Sequence, residues 1–100
     1  MLKTKEDVIS EIKAHIIKCG GSYFSWYVGI AQDAERRLFL DHKVNKNNDA
    51  WIYRKAASSY EARQVERYFI EVLGTDGGTG GGDETSNIVY AYKKKSHTNP

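Results

Sequence analysis

Apolar positions recur at helical spacing near the start of the chain. Val8, Ile9, Ile12, Ile16 and Cys19 fall on one face of a helix. Thr4 is placed to cap it, Glu6 and Asp7 stand where the positive end of the helix dipole favours acids, and Gly20-Gly21 ends it. His15 lies at the edge of the stripe and reads as a structural or exposed residue; Cys19 closes the stripe and reads as a buried thiol. The period then changes to two. Residues 22–30 are rich in aromatic and β-branched types, which predicts a strand. Alternation puts Tyr23, Ser25 and Tyr27 on one face and the apolar Phe24, Trp26 and Val28 on the other, the face expected to meet the core.

Asp33 can cap a second helix over residues 34–42, followed by a polar loop over residues 45–49. Residues 50–55 suit a short second strand or an extended connection. Ser58 and Glu61 have capping-box spacing at the head of a third helix. Its apolar stripe is Ala62, Val65, Phe69, Ile70, Val72 and Leu73, and Gly74 ends it. Glu66 falls inside that stripe, where a carboxylate is costly unless something satisfies it; a salt bridge to Arg63 or Arg67 is the purely structural way to do so. Residues 75–86 hold five glycines and read as a flexible connection, with no Lys-Ser or Lys-Thr pair of the phosphate-loop kind. Residues 87–92 read as a last strand, and residues 93–100 as a loose tail. The pattern predicts one small soluble α/β domain over residues 1–100.

Composition changes this picture little. A chain of 100 residues with 40% hydrophobic and 28% charged positions suits a single core. A net charge of +2 permits nucleic-acid binding without arguing for it, and the one basic run, Lys93-Lys94-Lys95, lies in the tail. The single cysteine excludes an internal disulfide and a cysteine-based zinc cluster. With no membrane-spanning stretch and no signal-type apolar core, a reducing cytoplasmic compartment is the expectation.

Four features stand in order along the chain. Tyr27-Val28-Gly29 lies near the end of a predicted strand, and Arg37 follows eight residues after the glycine on the next helix. Glu66 is embedded in an apolar stripe, and Asn87 opens the final strand. In this order the chain resembles the GIY-YIG nuclease superfamily, from about residue 23 to residue 92. Tyr27-Val28-Gly29 matches the second tyrosine motif, Arg37 the helical arginine, Glu66 the metal-binding glutamate and Asn87 the asparagine after the glutamate-bearing helix. Two departures stand out. The upstream first motif is missing, with Tyr23 as its substitute by sharing a strand face with Tyr27, and His42 follows Arg37 by five residues where the family often has four.

The resemblance implies an α+β fold with a small antiparallel, three-stranded sheet flanked by helices. It implies a metal-dependent endonuclease that hydrolyses DNA phosphodiester bonds, with RNA not excluded as a substrate and with a homodimer or partner chain as a source of specificity. Glu66 would hold Mg²⁺ or Mn²⁺, since such a cation keeps several waters and needs only one or two protein carboxylates. Arg37 would stabilise transition-state charge with its planar fork. Tyr27 would position or deprotonate water, with Tyr23 or His42 as alternatives, and Asn87 would order the site. The competing expectation is a nuclease-like fold that binds nucleic acid or protein with little or no catalysis.

Overall fold

The computed structural model describes residues 3–78 and 83–100. Helix α1 (Lys5–Cys19) leads into a 3₁₀ turn, Tyr23–Ser25, and strand β1 (Trp26–Ala31). A π-helical turn, Arg36–Asp41, and strand β2 (Trp51–Lys55) follow. Helix α2 (Ser59–Arg67) continues as a π-helical turn, Tyr68–Leu73, before strand β3 (Ile88–Lys93). The strands form one antiparallel sheet in the order β1-β3-β2, so the last strand is central. This is the small α+β architecture expected from the sequence. Among the described residues, no helix is long and apolar enough to cross a membrane.

The helix ends follow from their caps. Thr4 Oγ1 accepts from the Asp7 amide at 3.0 Å while Asp7 Oδ2 accepts from the Thr4 amide at 3.2 Å, a reciprocal capping box. Ser58 Oγ accepts from the Glu61 amide at 3.1 Å, one half of the box the spacing suggested. Gly74 stops the second helical run in the left-handed region, at φ 91°.

The sheet has two covered faces. On one, Trp26, Val28 and Ile30 of β1, Val89 and Ala91 of β3 and Ile52 of β2 pack against Val8, Ile12 and Ile16 of α1 and against Ala62, Val65 and Phe69. Each fully buried aliphatic side chain there contributes about 1.5–3 kcal/mol. Trp26 satisfies its indole N–H on the Gly20 carbonyl at 3.1 Å, tying the end of α1 to the start of β1. The other face carries Tyr27 opposite Tyr92 and Gly29 opposite Tyr90, with Trp51 and Tyr53 on the far strand. Ala34, Leu38 and Val44 cover it.

Several local expectations need correction. The strand predicted over residues 22–30 begins only at Trp26, because the Ser25 amide bonds to the Ser22 carbonyl at 2.9 Å and closes a 3₁₀ turn. That turn breaks the alternation. Tyr23 packs against the α1–α2 core instead of standing beside Tyr27. Phe24, expected in the core, is 74% exposed and lies under the Lys94 ammonium, 4.6 Å from the ring centroid. Cys19, in the last turn of α1, is exposed too; its sulfur lies 3.6 Å from His15 Nε2. Val72 is exposed because the π-helical turn changes the angular phase of the stripe after Arg67.

Part of the glycine-rich stretch is built into the sheet. The Asp76 amide donates to the Trp26 carbonyl at 2.8 Å, and the Val28 amide donates to the Asp76 carbonyl at 3.0 Å, forming a parallel bridge on the outer edge of β1. Gly77 follows at φ 153°, and a Cβ there would stand 2.4 Å from the Val28 carbonyl oxygen, so only glycine fits. Glycines 80–82 lie outside the described residues. The expected loose tail folds back instead: the Asn99 amide donates to the His42 carbonyl at 2.7 Å, and His97 Nε2 lies 2.6 Å from Asp49 Oδ2.

Candidate functional site

The aromatic face of the sheet gathers a polar cluster around His42. The π-helical turn ends when the His42 amide donates to the Arg37 carbonyl at 2.8 Å, and Lys43 then takes a left-handed φ of 62°. The imidazole of His42 is thereby set among three tyrosine rings. Its centroid lies 4.7 Å from that of Tyr27, 5.5 Å from Tyr90 and 5.0 Å from Tyr92.

Tyr90 reaches His42 because residue 29 is a glycine. The two residues pair across β1 and β3, and a Cβ on Gly29 would stand 2.6 Å from the Tyr90 hydroxyl oxygen. In the bare space over Gly29 the Tyr90 ring lies flat, stacked at 6.3 Å on Tyr27, with its hydroxyl 2.7 Å from His42 Nε2. His42 Nδ1 lies 2.8 Å from the Asn99 carbonyl oxygen and 3.2 Å from the Tyr92 hydroxyl. A carbonyl can only accept, so Nδ1 carries the proton. Nε2 is then a lone pair, and the Tyr90 hydroxyl donates to it.

Electrostatics favour neutral groups here. Burial lowers the His42 pKa, with the Asn99 carbonyl and Asp41 working against it and Arg37 with it. Burial raises Tyr27 above the ordinary tyrosine value, opposed by the nearby Arg37 charge and by the Gly78 amide at its hydroxyl. Tyr90 and Tyr92 are raised further by the same cause. Near neutral pH the cluster is an uncharged imidazole among protonated phenols.

Arg37 is half-buried on the π-helical turn. Its Nε lies 3.4 Å from Asp41 Oδ2, outside hydrogen-bond geometry, and is shut off from water with no hydrogen-bond partner. The guanidinium acts on Tyr27, His42 and Tyr90. Beside it a cleft of about 370 Å³ opens, bordered by Asp33, Arg36, Asp41 and Asp83. Its lining charge is mixed. A larger hollow, about 580 Å³ between Thr4 and Tyr60, lies away from this cluster and holds none of its residues.

Glu66 is 1% exposed, as its place in the stripe foretold. Arg63 Nη1 lies 3.4 Å from its Oε1, so of the two arginines weighed from sequence Arg63 is the partner, while Arg67 pairs with Glu71 at 3.1 Å. Burial pushes the Glu66 carboxyl up to about 7, with Arg63 pulling the other way. Its charge acts on Tyr27 and Tyr90, so it borders the cluster. Among the described residues, no group of three or more His, Cys, Asp and Glu could hold a metal ion.

The fold thus brings Tyr27, Arg37 and His42 together, with Glu66 at electrostatic range. It does not bring Tyr23, which the 3₁₀ turn sends to the opposite core. Asn87 is half-buried just before β3, where its carbonyl accepts from the Ala56 amide at 2.8 Å. Tyr90, Tyr92 and Asn99 are members that sequence reasoning missed. Alternation along the last strand, which puts Ile88, Tyr90 and Tyr92 on one face, was the available signal for the two tyrosines. Nothing local marks Asn99. Comparison with protein-family models, curated proteins and solved structures finds no match to this chain.

Proposed function

We propose that this protein is a metal-dependent nuclease of GIY-YIG type acting on DNA phosphodiester bonds. The observation that carries the reading is the meeting of Tyr27, Arg37 and His42 on one sheet face, with a buried carboxylate, Glu66, at its border.

Glu66 is the residue that would hold a divalent cation of the magnesium kind. A carboxyl held near pH 7 by burial gains its charged form when a cation stands beside it. One carboxylate is enough for an ion that keeps most of its waters. Mg²⁺ or Mn²⁺ bound there would neutralise phosphate charge and favour departure of the alkoxide.

The chain's own groups supply the rest. Arg37 faces the extra negative charge on the phosphate oxygens in the transition state. Tyr27, held protonated by burial, positions the attacking water as a hydrogen-bond donor or acceptor. The base is His42, neutral and with its lone pair on Nε2, and Tyr90 links it to the site. As water attacks phosphorus and the P–O bond to the leaving oxygen breaks, the water's proton passes to the Tyr90 oxygen. The Tyr90 proton moves at the same time to Nε2. Tyr90 ends neutral and His42 ends as imidazolium, donating to both Tyr90 and Asn99.

A second reading has its own observation. The Glu66–Arg63 ion pair satisfies the carboxylate within the chain, as a structural pair would. On that reading the fold binds nucleic acid or protein without cutting. Plasmid nicking separates the two: supercoiled DNA is incubated with Mg²⁺ or Mn²⁺ and wild type, Arg37→Ala or Glu66→Gln, each checked for folding. Nicking by wild type alone supports the nuclease. No nicking by any form, together with salt-sensitive DNA binding that Glu66→Gln leaves intact, sinks it in favour of the binding module.

A further inference from the structure

We infer that residues 95–100 form part of the site, with Asn99 as a positioning residue whose backbone carbonyl holds His42 in the Nδ1–H form and keeps its Nε2 lone pair on Tyr90. This rests on the nuclease reading above and adds an element to it.

The contact is built from both ends. Asn99 makes two hydrogen bonds to one residue 57 positions away: its amide donates to the His42 carbonyl at 2.7 Å, and its carbonyl accepts from His42 Nδ1 at 2.8 Å. A turn presents it. The Thr98 hydroxyl donates to the Lys95 carbonyl at 2.8 Å and accepts from the Lys95 amide at 2.9 Å. One residue earlier, His97 is tied to Asp49 at 2.6 Å.

Among the described residues, that carbonyl is the obligate acceptor at His42 Nδ1. The groups facing the ring are Tyr27 on β1, Tyr90 and Tyr92 on β3, and Arg37 and Asp41 on the π-helical turn. None is an obligate acceptor within hydrogen-bond range of Nδ1. The Tyr92 hydroxyl, at 3.2 Å, can donate or accept and so suits either tautomer. Among the described residues facing the ring, the Asn99 carbonyl is the obligate acceptor that puts the proton on Nδ1, which makes Nε2 the basic atom. Asn99 contributes only its backbone amide and carbonyl to the contact, so the path of the chain is decisive.

The experiment compares wild type, Thr98→Ala and a chain ending at Ser96, each shown folded by circular dichroism. Two quantities are read: the His42 ring tautomer by long-range ¹H–¹⁵N spectra, and the nicking rate on supercoiled plasmid with Mn²⁺. Wild type is expected to show a single Nδ1–H tautomer. The chain ending at Ser96 should show mixed tautomers and nick about tenfold more slowly, a typical effect of losing an orienting partner. Thr98→Ala, which only loosens the turn, moves both readouts the same way by a smaller factor and stands in if the shortened chain fails to fold. An unchanged tautomer or rate in the altered chains, with wild type active, overturns the inference alone. A wild type that nicks nothing overturns the nuclease reading and the inference with it.

Discussion

Replacing Gly29 by alanine tests whether the aromatic face is arranged as described. The new Cβ would stand 2.6 Å from the Tyr90 hydroxyl oxygen, 2.7 Å from Cζ and 3.0 Å from Cε2. Tyr90 is 1% exposed and cannot swing into water, so the ring must be forced within a packed layer. Overpacking of this kind costs about 1–3 kcal/mol. Displacing the hydroxyl from His42 Nε2 removes a bond worth about 1 kcal/mol net. Against this, exchanging glycine for alanine within a strand returns about 0.5–1 kcal/mol of backbone entropy. The balance is a loss of about 1–3 kcal/mol. In a Tyr90→Ala background the obstacle is gone and only the entropic gain remains, so the same Gly29→Ala change should stabilise by about 0.5 kcal/mol. Urea denaturation of the four proteins in this cycle measures both numbers. A Gly29→Ala cost that persists in the Tyr90→Ala background would refute the placement of the ring over Gly29.

Other outcomes follow from the same geometry. The Glu66 carboxyl is raised from 4.5 to about 7, so between those pH values the folded chain holds a proton that the unfolded chain has lost. Stability should therefore fall as pH rises from about 4.5 to 7, by on the order of 3 kcal/mol, and Glu66→Gln should flatten that slope in urea titrations at several pH values; equal slopes reject the buried carboxyl. Above pH 7, Mn²⁺ should raise Tm in wild type and not in Glu66→Gln, and a shift that survives the substitution removes Glu66 as the anchor. Cys19, exposed on α1, should react with a thiol reagent in the native protein as fast as in urea, and Cys19→Ser should change stability by less than about 0.5 kcal/mol. A thiol protected until unfolding would restore the buried reading.

What the sequence revealed was mostly local. Thr4, Ser58 and Gly74 act within one turn of the chain, and each does what its residue type suggests. Glu66 could be seen because helical geometry assigns an angle to every residue, and a carboxylate at an apolar angle is conspicuous. Arg63, not Arg67, satisfies it, a choice that depends on side-chain direction and not on spacing alone. Tyr23 and Phe24 went astray because a three-residue turn reverses strand parity, and no pattern of apolar residues announces where a strand begins. The pairing of Gly29 with Tyr90 joins positions 61 residues apart through sheet register, which is fixed by tertiary packing. Asn99 meets His42 through backbone atoms, which carry no sequence signal at all.

The strand order also has a consequence for how the protein comes into being. β1 and β2 do not pair with each other; within the sheet each has β3, which follows both in the chain, as its neighbouring strand. Until β3 emerges from the ribosome, the two earlier strands have no sheet to join, and the space over Gly29 has no Tyr90 to fill it. Folding must therefore wait for late, non-local contacts, which slows it and leaves β1 and β2 exposed to wrong partners in the interval. The same delay means that no shorter nascent chain assembles the His42 cluster, so any cutting activity arises only after synthesis has passed the last strand.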